Sequence, residues 1–318
     1  MTEETRAQAN ELETTLTRYL AAYNHHIPQR ALISGTPASM QSLWMIVASF
    51  LFAGMGVCVK LSAQAGYAPA EIVFYRAIVA LFIMALIVIL RRVPLKTPHW
   101  RMQMKRGVTG FCSLSVYFCA IALVPLATAV TLNYTSPLFL MLLLIVFRGL
   151  KPSLPLMLSL ACGLLGVALL LHPGFAAEAW LGETLALASG FLAAMTYFDV
   201  RELGLRGEPE ARTVFYFALL ATFLSAIWIA FSRMHPLRLE GICMLAGVGI
   251  FATLGQLAMT RAYSRGNVLL SASLAYTTVV FATLFGVLFW EEHLDGMELT
   301  GMLLIMASGI MANRFSAK

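Results

Sequence analysis

Residues Tyr117–Phe147 read YFCAIALVPLATAVTLNYTSPLFLMLLLIVF, an apolar run interrupted by Pro125, by Pro137 and by the polar group Asn133-Tyr134-Thr135-Ser136. A soluble core helix has no use for that combination. In a bilayer every backbone polar group has to be satisfied within the segment, so a run of this kind crosses as a helix. About 20 apolar residues suffice for one crossing. The pattern predicts a tight turn at Pro125, then a spanning helix with a polar notch at mid-depth. The chain writes a second version of the stretch at Met259–Phe289. A shift of 142 positions pairs Ala120 with Ala262, Leu132 with Leu274, Tyr134 with Tyr276, Thr135 with Thr277, Phe139 with Phe281, Leu142 with Leu284 and Phe147 with Phe289.

The rest of the chain agrees with a membrane setting. It is 59% hydrophobic and 12% charged, against about 25% charged in soluble domains. The fold class expected is an all-α integral membrane protein. Apolar stretches at roughly 42–63, 70–90, 106–123, 126–147, 153–172, 180–200, 211–232, 240–262, 268–290 and 296–313 predict ten transmembrane helices. The connections are short and hold the helix breakers, among them Gly66 and Pro69, Pro94 and Pro98, Pro173-Gly174, Gly207 and Pro209, and Gly266-Asn267. The net charge of +6 lies in these connections, so nucleic acid is not expected as a partner; the lipid bilayer and a small-molecule solute are. A homodimer is left open. Cys58, Cys112, Cys119, Cys162 and Cys243 fall inside the apolar stretches without metal-ligand spacing, and read as packing residues. No metal and no cofactor is expected. No GxxxxGK[ST], HExxH or GxSxG occurs, so neither ATP hydrolysis nor an enzyme is indicated.

Residues 1–40 are polar and mixed in charge. Leu12, Leu16, Tyr19, Leu20 and Tyr23 sit at helical spacing. A short amphipathic helix on the membrane surface and a frayed cytoplasmic tail are both compatible with this segment. Orientation follows the positive-inside rule. With the N-terminus inside, nearly all lysines and arginines fall on the cytoplasmic side, including Arg91, Arg92, Lys96, Arg101, Lys105 and Arg106 in one connection, and Arg148, Lys151, Arg206 and Arg265 in others. Only Arg233 and Arg238 lie outside, with the acidic group Glu291, Glu292, Asp295 and Glu298.

The repeat extends further. Gly66–Ala77 reads GYAPAEIVFYRA and Gly207–Ala218 reads GEPEARTVFYFA; six of the twelve positions match at an offset of 141. Lys60 falls opposite Arg201. Stretches one to five (residues 41–173) are thus echoed by six to ten (174–314). Five is odd, so the second copy crosses in the opposite sense, and such inverted repeats are an architecture of secondary transporters.

AIALVPLATAVTLNYTSPLF and, after the repeat, RAYSRGNVLLSASLAYTTVVFATLFGVLFWEEHL resemble the drug/metabolite transporter superfamily, EamA type. The resemblance covers about residues 42–313. It implies ten helices in two EamA repeats, both termini cytoplasmic, a cavity between the halves, a bacterial inner-membrane location and a metabolite cargo that is often exported. One departure stands out. Family members often carry a glutamate after the fourth span as well as the ninth; here the ninth is followed by Glu291 and Glu292, but the fourth by Arg148-Gly149-Leu150-Lys151.

Ionisable residues inside a membrane are expensive and therefore functional candidates. Lys60 can snorkel to the interface. Arg76 lies about two turns into its stretch; it reads either as an anion-facing group or as a cap on the carbonyls of a neighbouring helix. Glu71, Glu183 and Asp199 lie near span ends, so proton coupling is not indicated. Neutral polar groups come from both repeats: Tyr117, Asn133, Tyr134, Thr135, Tyr197, Gln256, Tyr276 and Thr277. They can hydrogen-bond a solute or stack on a planar one; helix–helix hydrogen bonds are the alternative use. Gly163, Gly166 and Gly249 read as points of close helix approach. The function expected is a secondary transporter of a small polar organic metabolite working by alternating access, with export favoured. A membrane-embedded lipid enzyme, built on Glu291, Glu292, His293 and Asp295, is the alternative.

Overall fold

The computed structural model describes residues 38–121, 123–124, 126–171, 179–231, 236, 239–291 and 295–316. The tail segment with Leu12, Leu16, Tyr19, Leu20 and Tyr23, Pro125, Pro173, Arg233, Arg238, Glu292 and His293 lie outside the described residues. Among those described, every regular element is a helix: α1 (Ala38–Ser42), α2 (Trp44–Gln64), α3 (Pro69–Leu90), α4 (Trp100–Ile121), α5 (Leu126–Asn133), α6 (Ser136–Arg148), α7 (Leu154–Leu171), α8 (Trp180–Leu205), α9 (Glu210–Ala230), α10 (Leu239–Arg265), α11 (Val268–Ala275), α12 (Thr277–Trp290) and α13 (Gly296–Ser316).

Eight helical segments among the described residues are long and apolar enough to cross a bilayer, with α5 and α6 counted as one and α11 and α12 as another. The shorter apolar α7 is a ninth segment. The remaining helix, α4, has 22 residues, and its first two turns carry Arg101, Gln103, Lys105 and Arg106. The predicted stretch of 106–123 therefore begins too late: α4 starts at Trp100 and takes these charges with it.

Two surface features suit a lipid surround. Large apolar side chains, Phe82, Ile89, Phe223, Leu288 and Ile310 among them, are exposed around the bundle, where water would make them a liability. All five tryptophans lie within a turn of a helix end: Trp44 and Trp100 at one end of the bundle, Trp180, Trp228 and Trp290 at the other. Such belts mark membrane–water interfaces. Lys60 Nζ lies 3.9 Å over the Trp290 ring, an interfacial placement.

Helix pairing repeats across the two halves. α2 packs on α10 as α4 packs on α8; α3 packs on α9, and α7 on α13. Exchanging the first five segments for the last five maps this set of pairs onto itself. The α7–α13 contact is tight enough that Ser159 Oγ donates to the carbonyl of Ser308 at 3.2 Å.

The polar notch is where the helix tightens. Between α5 and α6 the Thr135 N–H reaches back three residues to Leu132 O, and between α11 and α12 the Tyr276 N–H does the same to Ser273 O. The two threonines of the repeat respond alike: Thr135 Oγ1 donates to Leu132 O and Thr277 Oγ1 to Leu274 O, each at 2.6 Å. Pro137, in the first turn of α6, needs no intrahelical donor there. Gly190 of α8 faces the first of these points; a Cβ at Gly190 would stand 2.9 Å from Asn133 O and 3.0 Å from Leu132 O.

Candidate functional site

Four tyrosines, Tyr134, Tyr197, Tyr263 and Tyr276, share one buried cluster where the two halves pack. Tyr134 and Tyr276, at equivalent places in the repeat, have ring centroids 6.1 Å apart. Tyr197 of α8 stacks on Tyr263 of α10 at 4.8 Å, the planes 15° apart. Tyr117 of α4 packs with Ala120, Val124 and Ala186 and lies within electrostatic range of Tyr134. Tyr263 and Tyr276 are fully buried, and neither hydroxyl has a hydrogen-bond partner. Leaving a buried hydroxyl unpaired costs about 1–3 kcal/mol. The ring of Tyr276 is admitted by Gly163 of α7, where a Cβ would also stand 2.7 Å from Ser308 Oγ.

A polar stripe runs along one face of α10. Thr253, Gln256, Thr260 and Tyr263 recur at helical spacing and are all buried. A second stripe runs along α4 through Arg106, Gly110, Ser113 and Tyr117. Gln256 joins Arg76, Leu114, Phe217 and Thr253 around a cleft between α3, α4, α9 and α10, with about 20 Å³ of room. That is space for about one water molecule. Arg76 Nε is buried without an acceptor. Arg106 is 1% exposed, its guanidinium lies 4.2 Å over the Phe217 ring, and none of its three nitrogens has a partner.

The end of the bundle that holds residues 91–99, 148–153 and 206–209 is built differently. Glu208 accepts hydrogen bonds from Thr97, from Gln103 Nε2 at 3.1 Å and from Arg212 at 2.8 Å, and lies 3.0 Å from His99 Nδ1. Arg212 Nε donates to Pro94 O at 2.6 Å. Burial alone would raise the Glu208 carboxyl, but the bonds from Thr97, Arg212 and His99 outweigh it and hold it below its ordinary range. Arg148 and Glu202 form a two-point ion pair, one bond at 2.7 Å. Lys105 Nζ reaches Asp199 Oδ1 at 2.8 Å. All of these contacts except Glu208–Arg212 join the first half of the chain to the second. A cavity of about 840 Å³ opens at this end, with Arg148, Lys151, Arg201 and Asn267 in its wall.

The sequence-derived candidates divide accordingly. Tyr134, Tyr197 and Tyr276 converge, and Arg76 and Gln256 share a cleft. Asn133 Nδ2 donates to Ser189 Oγ at 2.8 Å, an interhelical tie. Thr135 and Thr277 bond their own helices. Glu71 accepts from Ala68 N at 2.8 Å and so caps α3. Sequence reasoning missed two residues. The charge pattern places Arg106 in a cytoplasmic connection; it stands instead buried in α4, in line with its spacing to Gly110, Ser113 and Tyr117. Tyr263 was hidden between Arg261 and Arg265, although it continues the stripe from Gln256.

Among the described residues no group of His, Cys, Asp and Glu could hold a metal ion. Comparison with known proteins gives the chain a family. The model of the EamA-like transporter family matches twice, at residues 39–172 and 180–314. The pseudopaline exporter CntI of Pseudomonas aeruginosa is 32% identical over 274 residues, 86% of this chain and 95% of that one. An uncharacterized transporter of Helicobacter pylori is 28% identical, over 84% and 92%. One crystal structure superposes with a TM-score of 0.79 at 21% identity, covering 88% of this chain and 99% of that one, so the fold is shared. The chain belongs to the EamA-like transporter family.

Proposed function

We propose that the protein is a secondary transporter that moves a small polar organic metabolite across the bacterial inner membrane by alternating access, in the direction of export. The carrying observation is the convergence of Tyr134 and Tyr276, equivalent positions of a repeat, at the contact between the halves. Ten crossings in two inverted sets of five fit the exchange symmetry of the helix pairs and the placement of basic residues at one end, which would be the cytoplasmic end carrying both termini. Tyr117, Tyr134, Tyr197, Tyr263, Tyr276, Gln256 and Arg76 would face the solute; Asn133, Thr135 and Thr277 would hold the tightened points about which the halves rock. The bundle is all but closed around the arginine cleft, so loading requires the halves to part. Export draws its support from the exporter among the relatives.

Flux in reconstituted vesicles tests the reading. A panel of radiolabelled metabolites is followed for uptake and efflux, with and without a pH gradient. Saturable flux of at least one solute, unaffected by the gradient, is expected; absence of flux for every solute would sink the proposal, and strict dependence on the gradient would overturn its uncoupled form.

A further inference from the structure

We infer that the cleft between α3, α4, α9 and α10 binds an organic oxyanion, a carboxylate or phosphate carried on a small molecule, held between the guanidinium groups of Arg106 and Arg76. Arg106 supplies the main observation. Its side chain is sealed from solvent at 1% exposure, and Nε and both terminal nitrogens lack an acceptor. A buried cation without a partner is strongly destabilising. Its placement makes sense when a counter-charge arrives from outside the chain. The Phe217 ring, itself part of the cleft wall, covers one face of the guanidinium at 4.2 Å, so an acceptor meets the Arg106 N–H groups once the cleft opens past this ring.

Arg76 adds a second, independent observation. Its Nε is also buried without an acceptor, it lines the cleft beside Phe217, and it stands within electrostatic range of Arg106. Two cations so placed repel each other when nothing lies between them. Asp199 is the carboxylate within electrostatic range of Arg106, but it gives one oxygen to Lys105 at 2.8 Å and its Oδ2 bonds nothing. It therefore leaves the guanidinium unsaturated. The forked, planar donors of arginine match carboxylate and phosphate alike. The remaining wall is mostly apolar, with Val73, Ala77, Leu114, Val214 and Ala218, and one amide, Gln256. The ligand is thus a small molecule whose oxyanion end meets the arginines. In one respect this rests on the transport reading: the cleft, at about 20 Å³, has to open to admit it.

The test uses the full chain purified in a nonionic detergent, with thermal unfolding followed by tryptophan fluorescence. The probes are succinate, citrate and glutamate; inorganic phosphate and glucose 6-phosphate; and, as uncharged controls, dimethyl succinate and triethyl citrate. At least one acid should raise the melting temperature while the esters do not, and the carboxylate and phosphate arms tell which oxyanion is preferred. Arg106→Gln should weaken that acid at least about tenfold, the scale of a charged hydrogen bond, and Arg106→Lys should retain part of the response. Unliganded Arg106→Gln should melt no lower than wild type, since an unpaired buried cation has been removed. The inference is overturned if no acid stabilises wild type, if esters act as well as acids, if the response survives Arg106→Gln, or if that variant melts well below wild type, which would make Arg106 a structural partner of Asp199. Arg76→Gln carries the same ligand comparison at the second arginine with the same outcomes. Acid stabilisation without flux of any solute would keep this site and sink the transporter; flux of neutral solutes without acid stabilisation would do the reverse.

Discussion

Glu208 and Arg106 are buried to a similar degree, 8% and 1% exposed, yet one is saturated with hydrogen-bond partners and the other has none. Glu208 gathers Thr97, His99, Gln103 and Arg212 around one carboxylate. Arg106 faces an aromatic ring, and its three nitrogens are sealed in without an acceptor. The same division separates the regions around them. The basic end of the bundle ties the halves through paired charges; the middle holds two arginines and two tyrosines with donors unused. Folded chains leave few buried polar groups unpaired, so a cluster of them points to a partner outside the chain, while a filled network points to a fastening.

The sharpest way to break that contrast is Glu208→Ala. It strips four groups of their acceptor and leaves Arg212 buried with only Pro94 O. Unfolding in denaturant should show a loss of about 3 kcal/mol; a loss below about 1 kcal/mol would mean the network fastens nothing. Gly163→Ala probes the middle by volume. The new methyl group meets the Tyr276 ring and Ser308 Oγ, and overpacking of this kind costs about 1–3 kcal/mol. An unchanged melting temperature would place Tyr276 elsewhere.

Acid should loosen the fastening and spare the middle. The Glu208 carboxyl is held below its ordinary range, so its contribution to stability is complete above that range and is lost as pH falls through the lowered value. The stability difference between wild type and Glu208→Gln should therefore be constant near neutrality and shrink on strong acidification; a difference that grows would reverse the assignment. No loss of stability is expected from Tyr263→Phe and Tyr276→Phe. Each removes a buried hydroxyl that bonds nothing, so unfolding should be unchanged or gain up to about 1–3 kcal/mol, while flux of a transported solute changes several-fold. A loss as large as that of Glu208→Ala would reveal a partner for the hydroxyl and erase the contrast.

Much of the fold can be read from the chain because lipid imposes one rule along its whole length. Runs of apolar residues between Gly and Pro mark the helices, and the Tyr-Thr pairs at Tyr134 and Tyr276 mark the repeat. Element ends are harder. α4 begins in charged residues that a hydropathy pattern assigns to a loop, because long side chains on a helix can turn inward to the bundle or reach its end. For the same reason Arg106 went unseen while Arg76, set in apolar sequence, was visible. What pattern does not convey is helix rotation: nothing in Asn133 or Thr135 distinguishes a group that faces a solute from one that ties a helix to Ser189 or to its own carbonyls.

The tightness of the cleft beside Arg76 bears on the cell's energy supply. A bilayer stores about 2.3 kcal/mol for each elementary charge moved through 100 mV, and any standing file of water molecules through a carrier would drain it. A cleft with room for one water offers no such file, and two fixed positive charges beside it repel protons and metal cations. In this conformation the cleft itself contributes no path by which the membrane's gradients could run down.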